Sequence, residues 1–278
     1  RRPSFPMKSA ITVTLVPETR AGPFVFSEGL ADAFARTAAL GFDAVEVFPS
    51  SAAETDGDEL AALCAQHGLK VAAIGTGAGW VRHRLRLTDP DAAVRRRAVE
   101  FVAAVIDLAA RFGAPAIIGS MQGRADAPVT RAQALGWLRE ALEELGPRAH
   151  ARGTILLYEF LNRYETNLCV NTAEAVDLVD SVRAPGVRLL CDLFHMNIEE
   201  ADIAAALRHA GPRVGHVHFA DSNRRAAGLG HTDFAPVVAA LREIGYAGYL
   251  SAEVFAWPAA QQAAEQTIAS YRRVTAGP

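Results

Sequence analysis

Ile155-Leu156-Leu157-Tyr158-Glu159-Phe160-Leu161-Asn162-Arg163-Tyr164-Glu165-Thr166 runs an apolar β-forming segment straight into charged and amide side chains. An aliphatic run of this kind reads as a strand buried on both faces. Glu159 then stands at its carboxyl end, where a carboxylate is paired, hydrogen-bonded or bound to a cation. Taken alone, the segment is equally a solvated strand end carrying a surface pair between Arg163 and Glu165, which would contribute little. Three later segments close in the same way, and that repetition decides between the two.

Outward from this stretch the chain alternates strand and helix eight times. Short apolar runs occupy residues 11–16, 44–48, 70–74, 115–119, 155–159, 187–192, 214–219 and 249–254. Between the early runs, Leu30, Phe34, Thr37, Ala38 and Leu40 form an apolar helical stripe stopped by Gly41, and Leu60, Leu63 and Cys64 another stopped by Gly68. Thr88-Asp89-Pro90-Asp91 supplies a cap and a first-turn proline for a helix over 94–112, closed by Gly113. Thr130 is the expected N-cap of the next helix, which carries Trp137, Leu138, Leu142 and Leu145; segments around Val176 and over 203–207, 237–241 and 259–271 complete the set. Eight βα units in roughly 260 residues predict an α/β chain folded as one closed (β/α)₈ TIM barrel. A doubly wound open sheet would place G-x-G-x-x-G after its first strand, and none is there. No linker or composition break divides the chain, so a single domain is expected over 7–278. Residues 1–6, ahead of Met7, are expected to be a disordered or non-native extension.

Composition narrows the function classes. The 278 residues are 50% hydrophobic and 21% charged with a net charge of -3, which lacks the basic excess of nucleic-acid or membrane-surface binders. No apolar run approaches the roughly 20 residues of a membrane span, and no signal-peptide core opens the chain. Cys64, Cys169 and Cys191 are an odd number without a C-x-x-C pair, which suits a reducing, cytoplasmic compartment.

In a barrel of this type the chemistry gathers at the carboxyl ends of the strands. There the last four strands deliver Glu159, Asp192, His218 and Glu253 to one rim. Neighbouring strands lie about 4.8 Å apart, so inward-pointing side chains at these positions converge. Each has a plainer reading: Asp192 as a loop cap, His216 and His218 as hydrogen-bonded core histidines on one strand face. Their coincidence on four successive strands favours a shared purpose. Three converging carboxylates repel, and a divalent cation relieves them, with a neutral imidazole joining. Oxygen and nitrogen ligands without thiolate favour Mg²⁺, Mn²⁺ or Co²⁺. His216 lies one layer deeper and is expected to support the group. Cys191 is expected to face the helices as packing.

These residues carry a resemblance. Residues 159–166 read E-x-L-N-R-x-E-T, residues 192–200 read D-x-F-H-M-N-I-E-E, and residues 218–224 read H-x-x-x-S-N-R, with Glu253 as the final glutamate. The chain resembles the xylose-isomerase-like barrel superfamily, and within it the D-tagatose 3-epimerase and related ketose 3-epimerases, including 5-keto-gluconate epimerase-like enzymes. The resemblance implies one divalent ion on Glu159, Asp192, His218 and Glu253, with Glu165, His195 and Arg224 holding the O1 and O2 end of a small sugar. It also implies a homo-oligomer, dimer or tetramer, because such barrels commonly pair through helices. The chain departs at Phe160, where relatives often have proline, and over 78–86, a difference that bears on substrate identity more than on chemistry.

The implied reaction is C3 epimerisation of a ketose or keto-sugar acid through a cis-enediolate. The C3 proton is weakly acidic until the neighbouring carbonyl is polarised, and a divalent cation there is worth several kcal/mol. Inversion needs a base on one face and an acid on the other, and Glu159 and Glu253 are the expected pair. An aldose–ketose isomerase of the hydroxypyruvate or sugar isomerase type would use the same site. A metal-dependent endonuclease would need histidines near the ends of strands two to four, where this chain has Phe48, Ile74 and Gly119. A non-catalytic sugar-binding module would not need an acid–base pair. Glu46, Trp80 and Gln122 are expected to shape the pocket.

Overall fold

The edge strands of an open sheet leave backbone N–H and C=O groups unpaired, and closure into a barrel removes such edges. The computed structural model describes residues 6–276, with eight parallel strands paired in sequence order around a closed barrel. They are β1 (Lys8–Thr14), β2 (Ala44–Phe48), β3 (Lys70–Gly75), β4 (Ala116–Ile118), β5 (Leu156–Glu159), β6 (Val187–Asp192), β7 (Val214–His218) and β8 (Tyr249–Ala252). Residues 1–5 of the expected extension, and residues 277 and 278, lie outside the described residues. The helices are α1 (Leu30–Leu40), α2 (Gly57–His67), α3 (Ala78–Val81), α4 (Ala92–Ala110), α5 (Arg131–Ala151), α6 (Thr172–Ser181), α7 (Leu193–Glu199), α8 (Ile203–Ala210), α9 (Phe234–Glu243) and α10 (Ala260–Thr275). None of the described helices is long and apolar enough to cross a membrane.

Local chemistry sets the element ends. Gly41 and Gly68 close α1 and α2 in the left-handed conformation, at φ 77° and 66°. Thr130 caps α5 through a reciprocal capping box with Gln133. The start of α4 differs from the expected one. Asp91 accepts the Ala93 N–H as N-cap, so Pro90 precedes the cap instead of filling the first turn. β1 starts earlier than the apolar run alone suggests, because Lys8 already pairs with Tyr249 of β8, and its ladder ends at Thr14, ahead of the turn at Pro17–Thr19.

Side-chain parity sorts the interior. Leu157 and Glu159 share a face of β5, Leu190 and Asp192 a face of β6, and Glu46 and Phe48 a face of β2. Phe24, Phe48, Ala73, Ile117, Leu157 and Leu190 form one buried cluster, separate from the larger apolar layer between strands and helices. Cys191 is fully buried in that outer layer, as parity predicts, and burial raises its thiol pKa. The Phe48 cluster lies inside the barrel, on the same strand faces as Glu46, Glu159 and Asp192.

Candidate active site

Glu159, Asp192, His218 and Glu253 all reach one point. Their ligand-type atoms lie within 4.8 Å of one another, and all four residues are buried. From His218 Nδ1 the distances are 3.3 Å to Asp192 Oδ2, 3.5 Å to Glu159 Oε1 and 3.6 Å to Glu253 Oε2. Backbone features make room for them. A Cβ at residue 119 would sit 2.6 Å from Glu159 Oε2, so any side chain where β4 ends would push that carboxylate aside. Asp192 does cap the following segment, accepting the Phe194 N–H through Oδ1 and starting α7, while its other oxygen stays in the cluster. The plain and the chemical reading of Asp192 both hold.

The electrostatics follow from burying three carboxylates around one imidazole. Burial, reinforced by Glu253 and Asp192, pushes Glu159 up to about 8 despite His218 nearby. Burial likewise raises Glu253 against the pull of His218 and Arg224. Burial opposes the ionisation of Asp192, but His195, His218 and Arg224 outweigh it and hold the group low. Glu159 Oε1 has no hydrogen-bond partner among the described residues. A buried, unpartnered carboxylate oxygen among three further ligand-type atoms is a fit for a divalent ion.

Beneath the cluster lies a second buried triad. Glu46 accepts from His218 Nε2 at 2.9 Å and from His216 Nε2 at 2.7 Å, one imidazole to each oxygen. With Nε2–H committed to Glu46, the Nδ1 of His218 is the nitrogen that faces the carboxylates. A carboxylate behind a ligating histidine fixes its tautomer and ring orientation. Glu46→Gln should therefore weaken Mn²⁺ binding by roughly 10- to 100-fold. Calorimetric titration measures it, the melting of the metal-free variant checks the fold, and unchanged affinity in a folded variant would refute the role.

Of the residues implied as substrate contacts, Glu165 and Arg224 line the cavity, whereas His195 is buried behind Glu159 and Asp192, its Nε2 3.7 Å from each. Asn162 donates to His195 Nδ1 from its amide at 2.7 Å, leaving His195 Nε2 pointing inward without a partner. Arg224, in the left-handed conformation at φ 57°, donates to Glu253 at 2.7 Å and to Glu165 at 3.3 Å. Asp221 holds that strained loop, accepting backbone N–H groups from Ser222, Gly228 and Thr232. Phe194 lies 4.8 Å from the guanidinium carbon, so the Arg224 head is fixed from two sides.

A cavity of about 200 Å³ opens here, with Glu159, Glu165, Arg224 and Glu253 in its wall. None of Glu46, Trp80 and Gln122 lines it. Glu46 acts from below, and Gln122 bonds the carbonyls of Gly119 and Glu159 and the Tyr158 hydroxyl, fixing the strand ends. Trp80 packs half-buried against the core under Arg84 and Arg86. A larger hollow of about 720 Å³ lies at the opposite end, beside the first residues of β1, β3 and β8, but only His216 of the polar groups just described reaches it. The smaller cavity is the one where acid–base groups converge.

Similarity to known proteins follows the same lines. The family described as "Xylose isomerase-like TIM barrel" matches residues 34–274. An L-ribulose 3-epimerase of Mesorhizobium japonicum is 36% identical over 229 residues, covering 80% of this chain and 74% of that one. A D-psicose 3-epimerase of Agrobacterium fabrum is 32% identical over 79% of this chain and 77% of its own length. Among solved structures, a D-psicose 3-epimerase determined in the presence of D-fructose superposes with a TM-score of 0.80 at 26% identity, over 98% of this chain and 100% of that one.

Proposed function

The chain belongs to the xylose isomerase-like TIM barrel family, and from that premise we propose that it is a divalent-metal-dependent ketose 3-epimerase. The observation that carries the reading is the pair Glu159 and Glu253, from β5 and the end of β8, facing one cavity with His218 Nδ1 within 3.6 Å of both. Glu159, Asp192, His218 and Glu253 would hold the ion, and the absence of thiolate suits Mn²⁺, Mg²⁺ or Co²⁺. When bound, it supplies Lewis-acid polarisation of the substrate carbonyl, worth several kcal/mol.

The protein's own groups supply the proton chemistry. One carboxylate removes the C3 proton, the other delivers a proton to the opposite face, and their roles exchange with direction. Their surroundings differ, since Glu253 is paired with Arg224 while Glu159 is held near 8 by burial. Burial raises both carboxyls, which lets either one serve as acid or base according to direction. Arg224, Glu165 and the inward Nε2 of His195 hold the oxygen-rich end and so decide which carbon meets the carboxylates. A single barrel domain and a reducing, cytoplasmic setting complete the reading; the three cysteines are unpaired among the described residues.

Incubation with free ketoses in D₂O tests it by NMR. Deuterium should enter C3 and the ketose epimer should accumulate, with aldose a minor product. Label confined to C1, with aldehyde formed, would instead make this an aldose–ketose isomerase.

A further inference from the structure

We infer that the N-terminal mouth of the barrel, at the end away from the carboxylates, is a binding site for a small phosphate-bearing anion. The hollow of about 720 Å³ there is lined by Lys8, Lys70, His150, His216 and Tyr249, and no aspartate or glutamate stands in its wall. Lys8 and Lys70 are the only lysines in a chain with 28 Lys and Arg residues and a net charge of -3. Neither makes an ion pair among the described residues. Asp43, at the same end, is engaged by the Ser9 N–H and hydroxyl at 2.7 and 2.9 Å. Two ammoniums brought to one hollow without a carboxylate repel each other, and a doubly charged oxyanion relieves both.

Topology puts both lysines there. Ala10 pairs with Ala44 and Ala44 with Lys70, while Lys8 pairs with Tyr249. Ala10, Ala44 and Ala72 form a small buried cluster with Tyr249 packed against it. Lys8 and Lys70 each stand two residues before one of these alanines, so they share its inward parity. Alanine in place of the bulky branched residues that usually fill a barrel layer leaves the space open. At its floor His216 is 1% exposed, with Nε2 donating to Glu46 and Nδ1 without a partner among the described residues. With the ring proton on Nε2, Nδ1 accepts, and it suits either the P–OH of hydrogenphosphate or a hydroxyl of a phosphorylated polyol. The two ammoniums and the Tyr249 hydroxyl are the donors to the phosphate oxygens; Lys8 Nζ lies 5.7 Å from the Tyr249 ring centroid.

Calorimetric titration of inorganic phosphate into the Mg²⁺-loaded enzyme tests the site without reference to turnover, so its outcome is independent of the epimerase reading. Phosphate should bind saturably at low salt and weaken as NaCl rises. The double variant Lys8→Gln, Lys70→Gln should bind it at least roughly tenfold more weakly, through the loss of charged hydrogen bonds. Both lysines are exposed, so the melting temperature and the Mg²⁺ affinity of that variant should stay at their wild-type values. Arg224→Ala reports on the opposite mouth and should leave phosphate binding unchanged. Glycerol 3-phosphate separates the two sources of the anion: tighter binding than phosphate identifies a phosphorylated polyol, and equal or weaker binding identifies free phosphate. No saturable binding by the wild type, unchanged affinity in the double variant, or loss of binding in Arg224→Ala overturns the inference.

Discussion

Glu159→Gln and Glu253→Gln should each lower the rate of inversion at C3 by roughly 10²- to 10⁴-fold. Glutamine keeps the volume and one oxygen but cannot accept or deliver the proton. The two variants differ in a second readout. Each retains one carboxylate, so each should still exchange the C3 proton with D₂O in the one epimer whose C3–H faces it, while failing to convert that epimer into the other. Both residues also belong to the group that would hold the ion, so Mn²⁺ content is measured at saturating metal alongside turnover. Full inversion by either variant at full occupancy would remove that residue from the acid–base pair.

The carboxylate cluster was legible because its members end strands, where a charge after an aliphatic run is conspicuous and barrel topology supplies the convergence. Glu46 was visible but not interpretable. A lone carboxylate within Ala44-Val45-Glu46-Val47-Phe48 has inward parity, yet its two imidazole partners lie 170 and 172 residues away in sequence. α7 carries one recognisable signal in the sequence, the Asp192 cap that starts it. The Phe48 ring depends on Gly75 yielding space to it, and such a close approach between strands leaves no trace in periodicity. The left-handed backbone of Arg224 is equally silent, since it is imposed by the distant bonds of Asp221 and not by glycine.

Stripping the metal should be nearly as damaging as losing a carboxylate. If the cation supplies several kcal/mol at the carbonyl, chelation costs roughly 10³-fold or more in turnover, restored by Mn²⁺ or Co²⁺. The pH dependence of reloading follows from the cation-free site. Burial holds Glu159 near 8, so at neutral pH it carries a proton that an incoming ion must displace. Burial alone would lower His218, but Glu46 and Glu253 outweigh it and raise the imidazole well above its usual value, so its proton must leave too. Metal binding therefore expels protons, and affinity climbs as pH rises from roughly 6 toward 8, where Glu159 ionises without help. Calorimetric titrations in two buffers of different ionisation enthalpy count the protons released. Turnover at full rate in excess chelator, or an affinity that ignores pH across this window, would dissociate the cluster from the metal.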